Sequence, residues 1–265
     1  MQTEILLELD RICVKNKISY QLFAGTLLGA IRHKGFIPWD DDIDVCLLRE
    51  DYERLIQCCK RDLDEKYFLQ CLDTDESTTY QYAKIRKNGT VFVNSVEQQD
   101  ETHPGIYIDI FPLDNVKPHT LMGKLHPWVY NFFYVIHTSR RKGRVLKARN
   151  AFIRGLRYLF FYATKLIPKR VLESWVNRTL RLYQNHDTEY VNHLTNGVSK
   201  KRLKQYLRKK ETFYDIDYME FEGNQLPVPQ NYHDVLVTQF GDYLQLPPEE
   251  ERFPHHDIVK VVIGD

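Results

Sequence analysis

GTLLGAIRHKGFIPWDDDIDV, residues 25–45, is the stretch on which the reading of this chain turns. Three adjacent acids are followed by Ile-Asp. Like charges at this density repel, so the run costs stability unless something neutralises it. On a strand, residues two apart share a face, so Asp42 and Asp44 are expected to project together while Ile43 and Val45 point the other way. Paired carboxylates of this kind suit Mg²⁺ or Mn²⁺, hard cations that prefer oxygen ligands. The plainer alternative is a solvated acidic loop. A calcium loop of the EF-hand type does not fit, because Val45 stands where the turn needs glycine and Asp51 where it needs glutamate.

Working outward, Gly25-Thr26 lies between an expected strand at 18–23 and an expected short helix that begins at Leu27, with Thr26 as its N-cap. A glycine at such a junction lets a phosphate approach the backbone at a helix N-terminus. Farther on, Asp109 sits inside the otherwise apolar run IYIDIF (106–111). A lone carboxylate there is costly unless paired or metal-bound. If the strands of 43–48 and 105–111 are neighbours, Asp42, Asp44 and Asp109 converge on a cation that can polarise a phosphoryl group. The competing reading of Asp109 is a buried salt bridge to Lys84 or Arg86.

The remaining elements follow from periodicity. Residues 1–17 read as an amphipathic helix with Ile5, Leu6, Leu9, Ile12 and Cys13 inward, and 50–63 as another. Residues 68–72 form a strand. Residues 80–86 and 90–96 read as a hairpin turning at Asn88-Gly89. Long aromatic-rich helices fill 121–137, 146–167 and 170–184. A β pair is expected from 213 to 226, then a helix over 232–240 closed by Gly241. Strand and helix do not alternate regularly, so a doubly wound sheet is excluded and an α+β fold is expected. The chain divides into a catalytic core at 1–114, a basic helical insertion at 115–212 and a segment at 213–265 that completes the core.

The formal net charge is +1 over 265 residues, but it is a cancellation. Residues 37–114 carry −10, residues 115–172 carry +13 without one acidic residue, and residues 215–265 carry −9. Within 140–170, basic residues mix with large apolar ones, which suits an anionic membrane surface. The alternative is a helical cap whose charges pair with the acidic blocks. No run nears the ~18 apolar residues of a spanning helix. The N-terminus lacks a signal-peptide pattern. The five cysteines form no CxxC and lie in the first third, which reads as reduced thiols and a cytoplasmic setting.

The stretch at 25–45 resembles the signature of the LicD family, which includes bacterial phosphocholine transferases and fukutin-type proteins. YAKIRKNGT (82–90), YIDIFPLD (107–114), Phe240-Gly241-Asp242-Tyr243, Leu246-Pro247-Pro248 and His255-His256 match in the same order. The resemblance is weak across 115–212. It implies a nucleotidyltransferase fold shared with DNA polymerase beta, a mixed sheet flanked by helices. The pattern's Gly-Gly/Ser falls on Gly25-Thr26, with Ala24 where a second Gly is commoner and Thr keeping the hydroxyl. The acids fall on Asp42, Asp44 and Asp109.

The implied activity is Mg²⁺-dependent transfer of a phospho-alcohol, phosphocholine first among them, from a CDP-linked donor to a hydroxyl of a glycan or lipid-linked glycan. The glycan would be teichoic acid, lipopolysaccharide or a capsule precursor, and nucleic acid is not an expected partner. Lys84 and Arg86 would pair with the diphosphate, unless they are surface charges on the hairpin. Arg32 and His33 would contact phosphate or close the loop, and His255 and His256 would lie near the site. Trp39 leads the candidates for an aromatic face against a quaternary ammonium, with Tyr82 and Tyr107 behind it. Its alternative is a packing anchor for the loop. Rival activities are nucleotidyl transfer with the same acids, glycosyl transfer with Asp-Ile-Asp as the metal motif, and a binding module on a degenerate fold.

Overall fold

The computed structural model describes residues 1–95, 97–99, 102–141, 150–254 and 257–263. His255 and His256, and part of the basic run at 140–170, lie outside the described residues.

The fold is built around β6 (Tyr107–Val116), whose ten residues are all buried. β2 (Asp44–Leu48) runs parallel to it on one side, and β4 (Ala83–Lys87) runs antiparallel on the other. β1 (Gln21–Leu22) extends the sheet beyond β2, and β3 (Tyr67–Gln70) extends it beyond β4. β7 (Tyr190–Asn192) pairs with the far end of β6, and β8 (Arg208–Lys209) pairs with β7. The result is a mixed seven-stranded sheet. Burial of every residue, as in β6, is expected of a strand covered on both faces. Pro112 falls between the stretch paired with β4 and the stretch paired with β7, so neither antiparallel partner needs its missing N–H.

Helices α1 (Gln2–Asn16) and α3 (Arg49–Asp62) cover the sheet, and α1 buries the five residues its periodicity selects. α2 (Ala24–His33) follows β1 directly. Three further helices, α4 (Leu121–Thr138), α5 (Ala151–Lys165) and α6 (Lys169–Leu180), come from the basic part of the chain. α4 packs along α6 around Val116, Tyr130, Val176, Leu180 and Leu194. α7 (Lys200–Gln205) precedes β8. The C-terminal part forms the ribbon of β9 (Ile216–Phe221) and β10 (Asn224–Pro229), then α8 (Tyr232–Phe240), stopped by Gly241 at φ 74°. Among the described residues, eight helices and a mixed sheet make an α+β architecture.

Three local expectations need correction. The 80–86 and 90–96 segments do not form a hairpin. Both edges of β4 are already taken, by β3 and β6, so β5 (Val91–Asn94) pairs instead with β11 (Ile258–Val262). The turn at Gly89, φ 74°, is present, but it releases the chain from the sheet. Thr26 is not an N-cap: α2 starts earlier, and Phe23 holds the cap position. Asp42 precedes β2 and is not part of the strand.

One buried ion pair ties the covering layer to the sheet. Arg49, at the start of α3, donates from Nε to Asp114 Oδ1 at 2.7 Å and from Nη2 to Oδ2 at 2.8 Å. Both side chains are buried. Removing one partner leaves an uncompensated charge, at a typical cost of about 3–5 kcal/mol. D114A should therefore lose roughly that much in urea unfolding, whereas R49M/D114L should lose markedly less. Equal losses would show that the charges are not the reason.

Candidate active site

The site forms where β2 and β6 lie side by side. Their parallel register places Asp44 opposite Asp109, and the Asp109 N–H donates to Ile43 O at 2.8 Å. Asp42, just before the strand, turns its carboxylate to the same place. One oxygen from each of Asp42, Asp44 and Asp109 lies within 4.8 Å of the others.

The turn into α2 supports this cluster from behind. The Asp44 N–H donates to Thr26 Oγ1 at 2.8 Å, and the Phe23 N–H donates to Asp44 O at 2.9 Å. Thr26 is buried, so its hydroxyl is used within the protein to fix the start of β2. A Cβ on Gly25 would lie 2.6 Å from Asp40 Oδ2, so a larger residue here would push the Asp40 carboxylate aside. Ala24 adopts φ 46°, a left-handed conformation that costs a Cβ-bearing residue roughly 1–2 kcal/mol. This is the position at which a second glycine is commoner in the resembling pattern.

Lys84 projects from β4 toward the same acids. Its Nζ lies 2.8 Å from Asp109 Oδ1 and 3.4 Å from the centroid of the Tyr107 ring. The ion pair anticipated for Asp109 is therefore present, and the acids also converge. The ion-pair angle leaves Asp109 Oδ1, which is buried, without an aligned hydrogen bond. Burial first, then the carboxylates of Asp42, Asp109 and Asp40, push Asp44 well above the ordinary carboxylate range, with Lys84 pulling the other way. Asp109 is also raised by burial, against the pull of Lys84. Three converging oxygen donors, one of them lacking a good donor, fit Mg²⁺ or Mn²⁺.

These acids form one wall of a cleft of about 660 Å³. Tyr80, Tyr82, Tyr107 and Phe111 line it beside Lys84. Tyr80, Tyr82 and Lys84 recur at every second residue, a spacing legible in the sequence. The basic part of the chain supplies Tyr134, Thr138, Arg141, Arg157, Asn196 and Arg202 to the same cleft. Arg202 is steadied by a 2.8 Å bond from Nη1 to Asn196 O. The sequence signal for Arg141 and Arg157 is only the acid-free block, which gives no single position, and Arg202 lies beyond that block.

Other expected site residues lie elsewhere. Arg86 is completely buried and saturated by Gln70, Gly105 O and Glu97, at 2.7, 2.9 and 3.0 Å. It is neither a surface charge nor within the cleft. Arg32 donates from Nη1 to Tyr243 O at 2.9 Å and so pins the end of α2 to the C-terminal segment. His33 contacts Trp39 edge-on, and Arg252 stacks over the other ring at 5.6 Å. Trp39 packs against the core and does not line the cleft. It serves as the loop's packing anchor, while Tyr82 and Tyr107 face the cleft.

Two substitutions test this construction. A24G should be neutral or stabilising in thermal melts, although glycine in an ordinary helix costs about 1 kcal/mol. A loss of that size would remove the strain argument. In chelator, the raised Asp44 favours its proton when folded, so it destabilises the protein as pH rises above the usual carboxylate range. D44N should therefore melt higher than the wild type at neutral pH without metal, with the gap closing toward acid pH. A gap independent of pH would contradict this.

Residues 17–142 match the family model described as LicD/FKTN/FKRP, nucleotidyltransferase domain. The lipopolysaccharide cholinephosphotransferase LicD of Haemophilus influenzae is 32% identical over 252 residues, covering 92% of this chain and 89% of that protein. An uncharacterized protein of Rickettsia prowazekii is 43% identical over 54 residues, 20% of each chain. A similar match to Rickettsia typhi is 44% identical over 48 residues, 18% of this chain and 16% of that one. With the match to the Haemophilus protein running nearly end to end, and the acids, Lys84 and the β1–α2 turn gathered at one cleft, the chain belongs to the LicD family.

Proposed function

We propose that this protein is a metal-dependent phosphotransferase. It moves a phospho-alcohol group, phosphocholine first among them, from a CDP-linked donor to a hydroxyl of a cell-surface glycan and releases CMP. The observation that carries the reading is the convergence of Asp42, Asp44 and Asp109 opposite cationic side chains in one cleft. The near full-length similarity to a lipopolysaccharide cholinephosphotransferase supports phosphocholine and a glycan acceptor. A nucleotidyltransferase-like core, with the division at 114 and 212, is part of the same proposal. The five free thiols support a reducing, cytoplasmic setting.

Asp42, Asp44 and Asp109 would hold Mg²⁺ or Mn²⁺, which when bound would draw negative charge from the phosphoryl oxygens. Lys84, Arg141, Arg157 and Arg202 bind and orient the diphosphate, the arginines by paired N–H donation. The acceptor oxygen attacks the phosphorus next to the alcohol, and a new O–P bond forms. The P–O bond to CMP breaks, and the acceptor's proton passes to a nearby carboxylate that is not itself holding the metal. Tyr82 and Tyr107 offer the aromatic faces that a quaternary ammonium prefers.

The test is incubation with CDP-choline, a glycan acceptor and Mg²⁺, following CMP and the modified glycan by chromatography and mass. The wild type should release CMP in step with glycan modification, and D42A or D44A should fall by about 10³-fold or more. Nucleotidylated product from CTP, with no CMP from any CDP-alcohol, would favour the nucleotidyltransferase alternative. Full activity in D44A would end the catalytic assignment.

A further inference from the structure

Helix α5 buries only Phe161 and Thr164 of its fifteen residues. Its apolar side chains nevertheless follow helical spacing. Phe152, Leu156 and Leu159 are 80%, 46% and 66% exposed. Helix α4, which α5 touches, shows the same pattern on the side away from α6, with Leu125, Trp128 and Phe132 exposed. Exposed apolar stripes on two touching helices are costly unless something covers them.

Charge decides among the possible covers. Residues 115–172 hold thirteen basic residues and no acid. A second copy meeting this face by a two-fold axis would bring two such acid-free basic blocks together. No helix among the described residues is long and apolar enough to cross a membrane. A helix with an apolar stripe and basic flanks lies in the plane of an anionic bilayer, its hydrocarbon in the acyl boundary and its cations at the headgroups.

We propose that α4 and α5 form a docking surface for an anionic phospholipid membrane. Arg157, on the side of α5 turned away from this stripe, lines the catalytic cleft, so docking would set that cleft about one helix diameter from the bilayer surface. On the proposed activity, this is where an acceptor carried on a lipid would be presented. The docking itself is independent of which group is transferred.

The experiment is flotation of the full chain with vesicles of phosphatidylcholine, alone or mixed with phosphatidylglycerol, at low and high salt. Binding should require phosphatidylglycerol and weaken with salt. F152S/L159S should reduce partitioning about tenfold or more, and K124S, at a position that shares the exposed face of α4 with Trp128, about fivefold. Melting temperature and Mg²⁺-dependent CMP release from the donor should be unchanged in both. The proposal is overturned by absence of binding to anionic vesicles, by equal binding of the variants, or by binding indifferent to phosphatidylglycerol. Dimerisation in sedimentation that these substitutions abolish, without vesicle binding, would assign the surface to a second copy. Failure of flotation with CMP release intact would leave the transferase reading standing, and the reverse result would leave the docking standing.

Discussion

The parallel pairing of β2 with β6 sets Asp44 beside Asp109, and the molecule's other arrangements answer the electrostatic problem this creates. A buried and a half-buried carboxylate on adjacent strands, with Asp42 alongside, would drive the strands apart in a protein that supplied no compensation. Lys84 reaches across from the other neighbour of β6 and neutralises part of the charge. Thr26 and Phe23 clamp the backbone of Asp44 on the opposite side, so the residue cannot retreat from its neighbours. The site is thus held under repulsion by hydrogen bonds that belong to the sheet and to the first turn of α2. Such pre-organisation suits a cluster that gains its last neutralising charge from a ligand.

The same constraint explains the uneven distribution of charge along the chain. The acids are concentrated where the strands meet, and the cations other than Lys84 come from a different part of the sequence. Arg141, Arg157 and Arg202 come to the cleft from beyond residue 138, after β6 has ended. A negative wall facing positive side chains across one cleft can grip a diphosphate and a divalent cation together, where a cleft of one sign would expel one of the two. The overall +1 therefore conceals a dipolar arrangement and excludes no charged partner.

How much of this could be read from the residues depended on the range of the interaction. α1, α8 with its terminal Gly241 and the β9–β10 ribbon are set by local periodicity and turn chemistry, and they were legible. The convergence of Asp42, Asp44 and Asp109 was legible because an acid amid β-branched residues demands a partner. The failures lie where a local rule met competition from elsewhere. Asn88-Gly89 favours a hairpin, but β3 and β6 had already claimed both edges of β4. Thr26 is a good N-cap residue, yet the N–H of Asp44, eighteen residues away, takes its hydroxyl and the helix begins without it. Arg86 alternates with Lys84 along one strand, and two residues of register separate a side chain in the cleft from one sealed among Gln70, Gly105 and Glu97. Lys84 and Arg86 share the face of β4, so alternation alone could not part them; the difference is the distance from the end of the sheet where the acids sit.

That last distinction bears on what the family pattern records. Lys84, opposite Asp109 in the β4–β6 register, is within reach of the acids, whereas Arg86, opposite Tyr107, is two residues deeper in the sheet. Its guanidinium stacks on the same Tyr107 ring that Lys84 touches, at 4.6 Å to the centroid. Arg86 thus supports from below the ring on which Lys84 rests, and Glu97 beneath it also accepts from Tyr80 at 2.7 Å. A buried column of Glu97, Arg86 and Tyr107 leads up to Lys84 and Asp109. Two positively charged residues in one motif therefore carry different burdens: one meets the cleft, and the other fixes the aromatic floor that sets its height.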